Sequence, residues 1–105
     1  MLEAEISALA HQDILDIWEN IAVDDINAAD RVRRSLFRIF ELLAANPELG
    51  PRRKWVNPRL KSVRFFPLPD FPKYLIFYRP LEPRSVEIVR VLHGAQNVVA
   101  ILEES

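Results

Sequence analysis

The chain has 105 residues, half of them hydrophobic and 28% charged, with a formal net charge of −1 at pH 7, which fits one globular domain over 1–105 around a modest core. It has no cysteine, and His11 and His93 lie far apart without metal-ligand spacing, so disulfides and thiolate sites are excluded and no metal or other cofactor is expected. No apolar run reaches transmembrane length and no basic-then-apolar leader opens the chain, so a cytoplasmic protein without a membrane partner is expected.

Leu2, Ala4 and Ile6 alternate with Glu3 and Glu5, the pattern of a short strand with one buried face. Ser7 stands where a helix N-cap would, and Ala10, Ile14, Ile17 and Ile21 recur at helical spacing, which predicts an amphipathic helix over 8–22. Asp25 is a good cap for a second helix over 26–45, whose seam of Ala29, Val32, Leu36, Ile39 and Leu43 is the strongest periodic signal in the chain. Arg31, Arg34 and Arg38 form a row on another face of it. Asn46-Pro47 ends this helix, because the residue before proline is pushed out of the α region. The short connection between the two helices makes them an antiparallel hairpin.

Residues 46–59 hold Pro47, Gly50, Pro51 and Pro58 together with Arg52, Arg53, Lys54 and Arg59. This reads as a surface loop with a basic end, anchored by Trp55. Strands are expected over 60–66 and 73–79, the second with Tyr74, Ile76 and Tyr78 on one face and Leu75 and Phe77 on the other; the prolines between them confine that end to an edge or a turn. The stretch 84–94 is the centre of the sheet. Val86, Ile88 and Leu92 fall on one face with Arg90 among them, and Glu87, Val89 and Val91 on the other; apolar residues on both faces mark an interior strand. Gly94 is read as the flexible point at which the chain turns out of it. Arg90 requires a carboxylate, a carbonyl or a bound anion, and Asp13, Glu87 or a target could supply it. A short helix over 95–102 completes the chain.

Charge divides by halves: residues 1–50 balance to −6 and residues 51–105 to +5. A basic sheet backed by acidic helices suits an acidic partner, although two unrelated solvated surfaces would give the same count. The predicted order is β-α-α-β-β-β with a C-terminal extension. That is an α+β fold, with a helical hairpin on one face of an antiparallel sheet and the other face partly open.

Several stretches together resemble one family. They are Ser7 with Ala10 and Asp13-Ile14, then Trp18 and Ile21-Ala22, and Asp25 with Ala28-Ala29. Leu42-Leu43 through Asn46-Pro47 to Leu49-Gly50 and Arg52-Arg53 follow, then Tyr74 to Tyr78, and finally Arg90-Val91-Leu92-His93-Gly94. The chain is similar in these to ParE-like toxins of the RelE/ParE superfamily, the toxic halves of bacterial type II toxin–antitoxin (plasmid stabilisation) pairs. The resemblance implies that fold and a cognate antitoxin forming a hetero-oligomer with the chain. It also implies one of two actions: inhibition of DNA gyrase, as described for ParE-like members, or ribosome-dependent mRNA cleavage, as for RelE-like members. An inactive antitoxin-binding relative is the third possibility.

Cleaving RNA through its 2′-hydroxyl needs a base, an acid and cations around the phosphorane. RelE-like enzymes typically carry a tyrosine or a histidine–tyrosine pair near the C-terminus, whereas no tyrosine follows Tyr78 here and His93 precedes glycine. A sequence pI near 6.1 also sits poorly with binding in a phosphate-rich site. The residues therefore favour a binding toxin over an enzyme, with no catalytic set assigned and no sequence-specific DNA binding by this chain alone. Its target-facing surface is expected over 73–104, with Arg90, His93, Arg64, Tyr78 and Arg52 as candidate target contacts. Arg31, Arg34 and Arg38 are the candidate antitoxin contacts. The plainer alternatives are a structural His93, an internally paired Arg90, core or rim tyrosines and a solvated arginine row.

Overall fold

A computed structural model describes residues 4–83 and 85–105; Leu2 and Glu3 of the expected first strand, and Arg84, lie outside these. The chain runs through strand β1 (Ala4–Ile6), helices α1 (Ala8–Ala22) and α2 (Ile26–Ala45), a 3₁₀ turn at Pro58–Leu60, strands β2 (Arg64–Leu68), β3 (Phe71–Leu81) and β4 (Ser85–His93), and helix α3 (Val98–Glu103). Both hairpin helices fall where the periodicity predicts, because their caps are where the sequence puts them. The Ser7 hydroxyl accepts from the Ala10 amide and an Asp25 carboxylate oxygen from the Ala28 amide, each satisfying a first-turn donor that no helical carbonyl can reach.

The sheet order is β1-β4-β3-β2. Strands β2, β3 and β4 are antiparallel as expected, but β1 joins parallel to β4, with Ala4 opposite Val86 and Ile6 opposite Ile88. The sheet is therefore mixed. A strand separated from its partner by two helices and two further strands has no hairpin to force antiparallel pairing.

Two further departures have local causes. The strand expected over 60–66 begins only at Arg64, because Asn57 accepts from the Arg59 amide and Pro58 opens a 3₁₀ turn over the residues before it. In β4, Tyr78 of the neighbouring strand faces Ile88 while Phe77 faces Arg90, so Val89 has no partner. This bulge inserts one residue and reverses the alternation beyond it. Val86, Ile88 and Val91 lie in the core under the hairpin, whereas Val89 and Leu92 lie on the other side. Unbroken period-two alternation would place Val91 and Leu92 the other way round.

The seam of α2 is core throughout: Ala29, Val32, Leu36, Ile39 and Leu43 are all buried. With Ala10 and Ile14 of α1, Val32, Leu36, Ile39 and Leu43 pack on Tyr74, Ile76, Tyr78, Val86 and Ile88. The second sheet face, expected to be partly open, is instead covered. Leu60, Val63, Phe77, Val89, Leu92, Val98 and Leu102 form a second apolar cluster there, with Trp55, Phe65, Leu75 and Ile101 packed against it. Helix α3 and the segment before β2 supply this cover. Burying each such side chain contributes about 1.5–3 kcal/mol, so α3 is part of the fold rather than an appended tail.

Candidate functional site

The five residues expected to face a target separate into two places, and most are engaged inside the molecule. Arg90 lies where β1 has ended and β4 has become the sheet edge. Its Nε and Nη2 each donate to the Asp13 carboxylate of α1 at 2.7 Å, and Asp13 Oδ2 also accepts from the Val91 amide at 3.0 Å. One carboxylate thus neutralises the guanidinium and closes the bare strand edge, and this hydrogen bonding raises the pKa of Arg90 above its ordinary value despite partial desolvation. The same edge is closed above and below: Ser7 donates from its amide to Ile88 O and from its hydroxyl to Val89 O, and Gln96 Oε1 accepts from the His93 amide. Internal pairing with Asp13 therefore accounts for Arg90, and an open edge beside it is not available for strand addition.

His93, half-buried at the end of β4, accepts at Nδ1 from the Ala95 amide at 3.0 Å and packs edge-on against Tyr74. Gly94 donates to Lys73 O at 2.7 Å. It does not have positive φ, and an added Cβ would make only ordinary contact with Lys73 O at 3.6 Å. The turn out of β4 is made by these hydrogen bonds rather than by glycine's conformational freedom.

Arg52, Arg64 and Tyr78 meet around Gly50 at the other edge of the sheet. Tyr78 is fully buried; its hydroxyl donates to Pro47 O at 2.9 Å and accepts from the Gly50 amide at 2.8 Å. Burial raises its phenol pKa, outweighing the lowering by the Gly50 amide and the Arg64 charge. Arg64 Nη1 donates to Gly50 O at 2.7 Å and Glu48 O at 3.3 Å. Gly50 is required here by space: a Cβ would collide with Phe65 O and lie 2.9 Å from the Tyr78 ring. As a target contact Tyr78 is thus corrected to a buried clasp that holds the loop after α2 on the sheet. Of the five, Arg52 alone is exposed without an internal side-chain role, its backbone bridging to Arg64.

The row of Arg31, Arg34 and Arg38 is exposed along α2. A groove of about 340 Å³ runs beside it between the hairpin helices, lined by His11, Ile14, Leu15, Trp18, Asp30, Arg33 and Phe37. Trp18 Nε1 donates to Asp30 Oδ1 at 2.9 Å across the groove, and the Arg33 guanidinium stacks 5.6 Å from the Phe37 ring. Arg34 joins Asp30, Arg33 and Phe37 in an adjoining hollow; Arg31 and Arg38 line neither. Arg33 is the cation the sequence reading missed, although its spacing of four from Phe37 is the signal that could have found it. An apolar floor with Arg33 at its rim and Arg34 in the adjoining hollow fits an amphipathic segment carrying carboxylates. Among the described residues no helix is long and apolar enough to cross a membrane.

Comparison with known proteins agrees with this architecture. Residues 4–98 match the family model described as the ParE toxin of the type II toxin–antitoxin system parDE. Among solved structures, a chain of the chromosomal ParDE toxin–antitoxin system from P. aeruginosa superposes with a TM-score of 0.69 at 17% identity, covering 89% of this chain and 96% of that one. At that identity the likeness is one of fold. No curated protein sequence matches significantly. The family match spans both hairpin helices and all four strands, and by it the chain belongs to the ParE toxin family of type II toxin–antitoxin systems.

Proposed function

We propose that this chain is a cytoplasmic toxin that arrests growth by binding DNA gyrase and is neutralised by a cognate antitoxin. The gyrase target comes from the resemblance to ParE-like toxins, and family membership supports the antitoxin. The observation that carries a binding mode of action over RNA cleavage is the second sheet face. A ribonuclease of this fold would need cations and an acid–base pair on an open face, and that face is filled by Phe77, Val89, Leu92, Val98 and Leu102. Arg64 and Arg90, which could have served a phosphorane, are spent on Gly50 O and Asp13. A binding toxin needs only surface complementarity.

The groove between α1 and α2 is the proposed antitoxin seat. Leu15 is 48% exposed on it, and Arg33 and Arg34 stand ready for carboxylates on the incoming segment, which orders on binding. Three measurements test the reading. Purified toxin should inhibit supercoiling by gyrase, leave mRNA intact on translating ribosomes, and co-purify with the product of the neighbouring open reading frame. Ribosome-dependent cleavage would replace the binding mode with the nuclease one, and loss of both activities would make the chain an antitoxin-binding relative without toxicity.

A further inference from the structure

The loop between α2 and β2 carries a surface that the clasp, the ion pairs and the hairpin groove leave unused. Residues 49–69 hold six cations and no carboxylate. Arg64 is consumed internally, but Arg52, Arg53, Lys54, Arg59 and Lys61 are all exposed. Among the described residues the ion pairs are Arg79–Glu87 and Arg90–Asp13, so none of these five meets a carboxylate. Between them stands Val56, with 99% of its surface in solvent.

That exposure is held in place from both sides. Trp55 donates through Nε1 to Val63 O at 3.0 Å and packs on Phe77 with ring centroids 6.3 Å apart, while the Arg53 guanidinium covers its ring at 5.0 Å. Asn57 accepts from the Arg59 amide and donates to Glu103 of α3. Upstream, Pro51 O accepts from the Phe65 amide. The flanking residues are therefore anchored to β2, β3 and α3, and the loop presents Val56 as a fixed apolar knob with cations before and after it in sequence. Pre-organisation of this kind lowers the ordering cost of binding.

We infer that the loop over residues 52–61 is the contact surface for the toxin's protein target, with Val56 entering an apolar hollow and the surrounding cations meeting a rim of carboxylates. The inference rests on the binding-toxin reading and moves the target contact from the exit of β4 to the loop before β2. A protein occupant is favoured over a nucleic acid because a phosphate backbone would use the cations and have no need of the valine. The acidic first half, at −6, also opposes approach to a polyanion.

The test compares wild type with Val56→Ala, Val56→Asp and the triple reversal Arg52→Glu/Arg53→Glu/Lys54→Glu in supercoiling by purified gyrase. Thermal midpoint and antitoxin co-purification serve as controls for folding. The triple reversal should raise the half-inhibitory concentration about tenfold or more, as expected for losing several charge contacts at an interface. Val56→Asp should act similarly and Val56→Ala more weakly, with midpoint and antitoxin capture unchanged. Salt should weaken wild-type inhibition more than that of the triple reversal. Full inhibition by folded loop variants would overturn the inference and leave the binding toxin standing. Loss of antitoxin capture with inhibition retained would assign the loop to the antitoxin and overturn it as well. Wild-type binding to a random-sequence duplex, abolished by the triple reversal while binding to DNA-free gyrase persists, would replace the protein with a phosphate backbone. Wild type that neither binds nor inhibits gyrase would fail the underlying reading itself, and the inference with it.

Discussion

Replacing Asp13 tests whether one carboxylate both closes the strand edge and neutralises Arg90. The pair is buried, with 10% and 16% of the two side chains exposed, and Asp13 Oδ2 serves both Arg90 Nε and the Val91 amide. Breaking a buried pair from one side costs about 3–5 kcal/mol, because the surviving charge is stranded. The orphaned Val91 amide adds to this, at about 1–3 kcal/mol for a buried donor. Partial relief comes from Arg90 Nη1, which keeps its 3.2 Å bond to Ser105 Oγ and can swing toward solvent. Asp13→Ala should therefore lose about 3–4 kcal/mol, a large share of the roughly 5–15 kcal/mol expected for the whole chain. The thermal midpoint should fall by at least about 12 °C. Asp13→Asn keeps an acceptor for Val91 and should lose less, about 2 kcal/mol. In urea unfolding, Asp13→Ala/Arg90→Met should be more stable than the two single losses summed, by about 1 kcal/mol or more, since the second change removes the stranded charge. A loss below about 1 kcal/mol for Asp13→Ala, or simple additivity in the double variant, would refute the coupling.

Alkaline stability should follow Tyr78. A phenol whose folded pKa is raised contributes full stability below the unfolded value of about 10, and that contribution is lost as pH rises toward the folded value. Tyr78→Phe should flatten this loss in unfolding curves taken across alkaline pH. At neutral pH it should cost about 1–3 kcal/mol as Gly50 N–H and Pro47 O lose their partner. An unchanged alkaline slope would deny the phenol this role. Gly50→Ala should lose more than about 2 kcal/mol, because the obstacle at Phe65 O is backbone and cannot swing aside; a wild-type midpoint would disprove the close approach. Leu102→Ala should cost about 2–5 kcal/mol by urea unfolding. Truncation before α3 should expose Leu60, Phe77 and Leu92 to hydrophobic dyes; a stable truncated chain without dye binding would show that α3 is dispensable to the fold.

The hairpin was legible because its signals are local. Ser7 and Asp25 are caps wherever a helix follows them, and a seam with spacings of three and four identifies its own buried face. The faces of β3 were legible for the same reason. The alternation in β4 failed at Val89 because a bulge depends on pairing between strands, and no residue type there announces one. The parallel entry of β1 and the covered second face are likewise decisions made between distant segments. At the candidate site, the need of Arg90 for a partner was readable from its chemistry, and Asp13 was among the partners it suggested. The burial of Tyr78 around Gly50 was not, since it depends on a loop 28 residues upstream folding back onto β3.

These long-range decisions also set the geometry in which a toxin of this kind can be silenced. The hairpin groove and the 52–61 loop lie on opposite sides of the sheet: Trp18 and Phe37 belong to the hairpin, while Trp55 packs on Phe77 in the cluster beneath α3. An antitoxin segment confined to the groove would leave Val56 and its cations exposed. Neutralisation then requires either that the antitoxin chain continue around a sheet edge to the loop, or that its bulk exclude the target from a distance. The edge beside β4 is closed by Ser7, Asp13 and Gln96. At the other edge the Phe65 amide is already taken by Pro51 O, and Pro67 has no amide to offer. A segment crossing either place would find few backbone donors to pair with, so its hold must come from side chains. The cationic loop and the Arg33–Phe37 stack are where this chain offers them.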